Sequence, residues 1–390
     1  MGSSLPAGFL DDLPACAADC LTAAVNTTSC TSTNTVCLCT DPQFLETAVG
    51  CYGLQCTIKQ TLFSTNAMRA ACGVPEESNT DLTPALAGFL GMLALIMVCL
   101  RVIQRTVTRK VFGWDDVLII FALVCAIPLN VMAFPLQKNG LGTNLWTIPF
   151  DNISTQLKLL LVAEVFYMPA EALTQLSFLA FYIRIFPPSY NLKPAILILA
   201  GTSIAFGISN TLIMIFQCTP VSYFWQSWTG EASGSCINIS AYSWYRAAMQ
   251  IVMDLSIISL PIRPVWKLAL STRKKALVLI MFCTGFLITV VSCLRLRSLI
   301  KFSNSANISM DNNPAIYWSM VECDVAIVCA CMPSIPALLK AISPRCFGET
   351  THRSDEDEVR NARPVPLGKI HKQSEFTILT TSQSQDQLVR

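Results

Sequence analysis

The chain has 390 residues, 53% of them hydrophobic and 13% charged, with a net charge of +2 and a mean hydropathy of +0.50; a soluble core of this size needs far less apolar surface. The small charge, with basic residues in short clusters rather than on one long face, excludes nucleic acid as a partner. His352 and His371 are the two histidines and both lie in the polar C-terminal tail, which excludes a histidine base or metal site in the apolar body and argues against an enzyme.

Residues Met1 to Cys20 have no basic start and no apolar run, and so do not read as a signal peptide. Either the first span exports the N-terminal segment as a reverse anchor, or a leader precedes it. Eight of the 18 cysteines follow: Cys16, Cys20, Cys30, Cys37, Cys39, Cys51, Cys56 and Cys72. So dense and even a set predicts a disulfide framework in an oxidising compartment, and therefore an extracellular domain over residues 1–80. The cysteines scattered through apolar runs further on read as small buried hydrophobes.

Seven apolar stretches of spanning length follow, at 84–104, 116–136, 158–183, 195–217, 243–262, 276–298 and 315–339, within a membrane body at 81–342. Glu164, Glu171, Asp254, Glu322 and Asp324 fall inside them, tolerable in a bundle interior but not against lipid. The fold class expected is an all-α membrane protein, a seven-transmembrane-helix bundle with a small disulfide-rich helical extracellular domain ahead of it.

Two signals orient the bundle. Arg101, Arg105, Arg109 and Lys110 follow span 1, Arg184 and Lys193 span 3, and Arg263, Lys267, Arg273, Lys274 and Lys275 span 5, against Lys138, Lys158 and Lys301 in the other loops. The positive-inside rule then puts the N-terminus outside. Glycosylation sequons at Asn26, Asn152, Asn238 and Asn307 all fall on that outer side. The polar, Ser/Thr/Gln-rich tail at 343–390 reads as disordered and cytoplasmic.

Cys218 and Cys236, both on the outer side, are expected to close a loop across Trp225 and Trp228. Glu164, Arg246, Arg295 and Glu322 lie at similar depth, where opposite charges pair across a cavity, either as a polar ligand pocket or as a structural ion network. Glu171 and Asp254 lie deeper, in a hydrogen-bonded packing role or a cation or proton site. On the inner face Tyr182, Arg184, Arg273, Lys274 and Lys275 occupy the positions where a receptor of this topology meets its transducer, although basic inner loops also arise from topology and anionic lipid alone.

The eight-cysteine spacing, with gaps of 3, 9, 6, 1, 11, 4 and 15 residues and Pro14 ahead of the first cysteine, resembles the fungal CFEM domain. That resemblance implies the pairs Cys16 with Cys56, Cys20 with Cys51, Cys30 with Cys37 and Cys39 with Cys72. In soluble members an Asp supplies an axial oxygen to haem iron; Asn34 stands at that place, and a neutral amide is a poorer ligand for ferric iron, so no cofactor is assigned.

The body carries Gly140-Leu-Gly142 with Trp146, Phe181-Tyr-Ile-Arg184-Ile-Phe186, Phe216-Gln-Cys218-Thr-Pro220-Val221 with Trp225, Asp254 with Leu260-Pro261, Lys274-Lys275, Leu294-Arg295-Leu296, and Glu322 with Pro333. These resemble the fungal rhodopsin-like seven-span family, which usually has a histidine where Asn144 stands. Span 7 has no lysine for a retinal Schiff base, since Lys340 sits at its end. The resemblance implies a plasma-membrane receptor of a filamentous fungus, in contact with lipid, an unidentified extracellular ligand or surface cue, and a heterotrimeric G protein. The rival readings are a haem- or iron-handling surface protein and a seven-helix transporter.

Overall fold

The computed structural model describes residues 13–31, 34–75, 78, 80–109, 111–185, 192–262, 285–298, 307–336 and 338. The tail expected at 343–390 and the inner-loop residues Arg273, Lys274 and Lys275 lie outside these.

The N-terminal domain is four short helices, α1 (Ala15–Val25), α2 (Thr35–Thr40), α3 (Pro42–Gln55) and α4 (Ile58–Ala71). Local chemistry starts the last three. Asn34 caps α2 by accepting from Cys37 N, Asp41 caps α3 with Pro42 in the first turn, and Thr57 with Gln60 forms a capping box on α4. Ala17, Cys20, Ala24, Leu38, Phe44, Ala48, Tyr52 and Met68 make the core. So small a core stabilises by only about 3–5 kcal/mol and needs staples. Disulfides join Cys16 to Cys56, Cys20 to Cys51, Cys30 to Cys37 and Cys39 to Cys72.

The bundle follows: α5 (Leu82–Val107), α6 (Trp114–Lys138), α7 (Phe150–Ile185), α8 (Lys193–Ile215), the short α9 (Tyr223–Gln226), α10 (Ile239–Ser259), α11 (285–298) and α12 (Ile308–Cys331). Among the described residues, α5, α6, α7, α8 and α12 are long and apolar enough to cross a membrane. Helix α10 is less apolar because Arg246, Gln250 and Asp254 sit along its buried face, and only the second half of the predicted 276–298 span is described. Helix α7 begins at Phe150, well before the 158 that hydropathy predicts. Its first turns are polar, and they stay helical by packing Ile153 and Leu157 near Leu62 of the N-terminal domain.

The burial pattern is that of a membrane bundle. Large apolar residues such as Phe89, Phe121, Phe134 and Ile198 point outward, while Ala122, Ala126 and Ala133 of α6 are fully buried where neighbouring helices approach. Helix α12 packs against α5, α6 and α7, and α7 runs beside α6, α8 and α10. Buried charge is carried by Arg101 and Arg105 of α5, Asp115 and Asp116 of α6, Arg246 and Asp254 of α10, Arg295 of α11, and Glu322 and Asp324 of α12.

Candidate functional site: a roofed cavity above a buried polar column

At one end of the bundle, the domain end, helix α4 lies against the segments that join the spans. Leu62 is buried against Ile148 and Ile153 with Trp146 and Trp228 alongside, Lys59 Nζ meets Glu231 Oε1 at 2.7 Å, and the Arg69 guanidinium stacks 4.4 Å from the Trp146 ring centre. Gly140 and Gly142 have φ of +97° and +86°, a left-handed turn that lets the chain fold back beneath this contact. Strand β1 (Cys218–Thr219) pairs antiparallel with β2 (Ser235–Cys236), and Cys218 is bonded to Cys236 across that ladder.

Between α4 and the bundle lies an open cavity of about 440 Å³ whose walls include Ile58, Leu62, Leu157, Trp228 and Ile316. Its polar lining includes Gln156, Glu164, Gln217, Ser243, Ser309 and Asn312. Glu164 makes no hydrogen bond or ion pair among the described residues, and Gln217, 4% exposed, has a side-chain nitrogen with no acceptor there.

Beneath the cavity, Tyr167 is the centre of a charge network. Its hydroxyl lies 2.8 Å from both Glu171 Oε1 and Glu322 Oε2, so its one proton serves one carboxylate at a time. Arg295 donates to the Tyr167 oxygen at 2.6 Å and to Glu322 Oε2 at 3.0 Å, Arg246 pairs with Glu171 at 3.1 Å, and Ser292 donates to Glu322. The two guanidiniums lie 5.0 Å and 4.7 Å from the Tyr167 ring centre. Two cations thus meet two carboxylates around a buried phenol.

Of the four residues the sequence grouped, Arg246, Arg295 and Glu322 come together here. Glu164 lines the cavity two turns nearer the domain end and shares the wall of a smaller space with Tyr167, Arg246 and Arg295, while Glu171 takes the ion pair with Arg246. The signal was present, since Glu164, Tyr167 and Glu171 repeat at helical spacing on one face, but depth alone does not say which carboxylate an arginine reaches.

Deeper still, Asp254 accepts from Gln175 at 2.9 Å and Gln250 at 3.3 Å, and Gln175 in turn accepts from Ser203. Asp254, Glu171 and Glu322 line a second, narrow cavity of about 40 Å³, with Tyr182 on its wall. Asn130 donates to Asp324 at 2.9 Å.

At the far end the polar column ends in a five-membered ion cluster. Arg101 reaches Asp115 at 2.7 Å and Asp116 at 2.8 Å, Arg105 reaches them at 3.1 and 2.8 Å, and Arg184 at 3.0 and 3.4 Å. Arg101 also donates to the Ala330 carbonyl of α12 and Arg184 to the Val111 carbonyl. Counting by position had treated Arg101 and Arg105 as loop charges; both are buried within α5. The missed partners are the adjacent acids Asp115 and Asp116, which open an otherwise apolar helix, where the helix dipole favours anions.

Asn26 and Asn238 are exposed and Asn152 is half-buried. Asn307 is half-buried with its side-chain nitrogen donating to Asn144 Oδ1 at 2.7 Å and to Met310 Sδ at 3.7 Å, so a glycan there leaves one N–H for the two acceptors. Asn34 Oδ1 accepts from Cys37 N at 3.1 Å. That oxygen is neutral and committed to a helix cap, so the haem-axial position does not fit an iron ligand.

A helical bundle with small residues at its crossings, ionisable groups in its interior and a stapled domain on one end defines a receptor-like multi-pass membrane protein. Residues 100–341 match the Fungal rhodopsin domain, more than half of the chain, and the chain belongs to that family. Residues 9–73 match the CFEM domain. Relatives include a SAT4 family membrane protein of Emericella nidulans, 28% identical over 240 residues, a match spanning 60% of this chain and 57% of that protein. Polyenoic acids biosynthesis gene cluster protein Ba17b of Metarhizium anisopliae is 27% identical, over 67% and 74% of the two chains. Receptor GIN3 of Arthrobotrys oligospora is 25% identical, over 50% and 47%. No solved structure matches.

Proposed function

We propose that this protein is a plasma-membrane receptor, not an enzyme, with residues 1–80 and the roofed cavity outside the cell and the ion cluster and residues 343–390 on the cytoplasmic side. An extracellular ligand or surface cue engages the domain end, and the helix bundle passes the change to a cytoplasmic partner, in our reading a heterotrimeric G protein. The observation that carries this reading is the cavity under α4, with Tyr167 and the buried carboxylates lying between it and the Arg101, Arg105 and Arg184 cluster at the opposite end. Membership of a family that resembles receptors, and the likeness to Receptor GIN3, support it.

The mechanism follows from two bistable elements. The Tyr167 proton bridges to α7 or to α12, through Glu171 or Glu322, so a small shift between those helices exchanges one hydrogen bond for another. Arg184 closes the end of α7 onto the 111–116 segment, and its side chain is 33% exposed where those of Arg101 and Arg105 are 1% and 8%. It is the member of the cluster that separates at least cost. A ligand acts by binding one arrangement better than the other.

The test is a G-protein activation assay in a fungal reporter strain, with wild type, Arg184→Ala and a deletion of residues 1–80 at matched surface level. A cue-dependent signal altered by Arg184→Ala and lost without residues 1–80 supports the receptor. A flat response from wild type and both variants, with coupling controls working, transfers weight to transport through the carboxylate-lined interior, read by flux into vesicles.

A further inference from the structure

Resting on the receptor reading of the cavity, we infer that its ligand is an elongated apolar molecule carrying hydroxyl groups, an aliphatic or polycyclic alcohol, and not a fatty acid. The walls are apolar, so the body of the ligand must be apolar to gain from entering. Of the polar side chains on the walls, Gln217 and Glu164 offer an open donor and an open acceptor. The Gln217 nitrogen is a buried donor with no acceptor among the described residues, a state that costs free energy until an acceptor arrives. Glu164 is an acceptor without a hydrogen-bond donor among the described residues, on the wall shared by this cavity and the smaller space above Tyr167 and Arg246.

The chemistry of the pair selects the head group. A hydroxyl both accepts and donates, so it satisfies either residue or both. A carboxylate serves Gln217 but brings a second carboxyl group beside Glu164 in a desolvated site, where one of the two has to hold a proton, and an ammonium serves Glu164 but leaves Gln217 open. Helix α4 completes the enclosure. Ile58 and Leu62 supply part of the apolar wall, and Lys59 with Glu231 and Arg69 with Trp146 hold that wall in place, so the CFEM domain contributes directly to ligand contact.

The experiment uses the full chain in phosphatidylcholine nanodiscs, labelled by a radioactive long-chain alcohol bearing a diazirine, with the matched carboxylic acid as comparison and peptide mapping as readout. The expected result is saturable labelling of peptides holding Leu62, Leu157 or Trp228, competed by unlabelled alcohol, with the acid at least about tenfold weaker. Gln217→Leu should weaken the alcohol about tenfold, and Glu164→Gln should bring the acid to within about threefold of the alcohol, since an amide donates to a carboxylate. Leu157→Trp, which narrows the apolar wall without touching either polar group, should weaken labelling several-fold while the Cys218–Cys236 bond and size-exclusion profile stay intact. Labelling confined to outward residues such as Phe89 and Ile198, undiminished labelling in Leu157→Trp, occupancy by bilayer phospholipid that the alcohol does not displace, or equal binding of acid and alcohol each overturns the inference. A cue-dependent reporter signal without cavity labelling sinks the ligand class and leaves the receptor standing. Selective labelling with no reporter response does the reverse.

Discussion

Tyr167 holds the smallest unit of the mechanism, because three charged partners depend on one hydroxyl. Removing a single member of a buried ion pair strands the other, at a cost of about 3–5 kcal/mol, whereas removing both is far milder. Arg246→Met should therefore lower the melting temperature of the purified protein sharply, and the double variant Arg246→Met with Glu171→Gln should recover most of the loss. If the double variant melts no higher than the single, the two residues are not coupled. Outside the membrane, Tyr52 is a second informative residue: it is fully buried, with Met68 Sδ 3.8 Å from its hydroxyl, and burial pushes its phenol above the ordinary value. The folded domain holds that proton more tightly than the unfolded chain, so stability is complete below the ordinary phenol value of about 10 and is lost as pH rises beyond it. Residues 1–80 contain no other tyrosine and no tryptophan, so phenolate absorbance of that fragment should appear only together with loss of helical circular dichroism. An absorbance change at the ordinary value in a still-helical domain would show Tyr52 to be solvated.

At the scale of elements, α4 and the two clasps around it decide whether the CFEM domain is a roof or a loose ornament. The Lys59–Glu231 bridge is exposed and worth less than about 1 kcal/mol. Leu62 is buried, and its truncation costs about 2–4 kcal/mol of packing. Leu62→Ala should raise hydrogen exchange in residues 145–157 and 223–236 much more than Lys59→Ala does, and equal effects would mean that charge rather than packing holds the helix down. The Cys218–Cys236 bond closes a loop of 18 residues, which constrains the open chain by about 3 kcal/mol. Paired serine substitution should loosen the Trp228 side of the cavity while leaving exchange at the Arg101 cluster unchanged. At the other end, Arg101→Ala should destabilise more than Arg184→Ala, because Arg101 is fully buried and Arg184 is in part solvated.

The whole molecule makes one topological prediction. With the domain end outside, the exposed Asn26 and Asn238 should carry glycans, and an epitope at the C-terminus should react with antibody only after permeabilisation. Glycans at those two sites together with an accessible tail on intact cells would refute the orientation.

Much of this architecture is legible in the chain itself, because the quantities that set it are local or additive. Hydropathy over a span length locates membrane helices, since the bilayer acts on each segment separately; α5, α6 and α8 follow it closely, while α12 starts seven residues ahead of the predicted 315. Cysteine spacing and the Asn34, Asp41 and Thr57 caps likewise act within a few residues. Three things waited for the fold. Helix α7 reaches back to Phe150 because a neighbouring domain packs on its polar turns, which no window over α7 alone contains. Arg246 takes Glu171 rather than Glu164, two turns apart on one face of α7, a choice made by how far α10 is offset along α7. Arg101, Arg105 and Arg184 close on Asp115 and Asp116 across up to 69 positions of sequence, and a cavity exists only where α4 meets the bundle without filling it. Composition decides which residues avoid water or lipid, but pairing and empty space belong to relations between helices, and only the tertiary structure contains those.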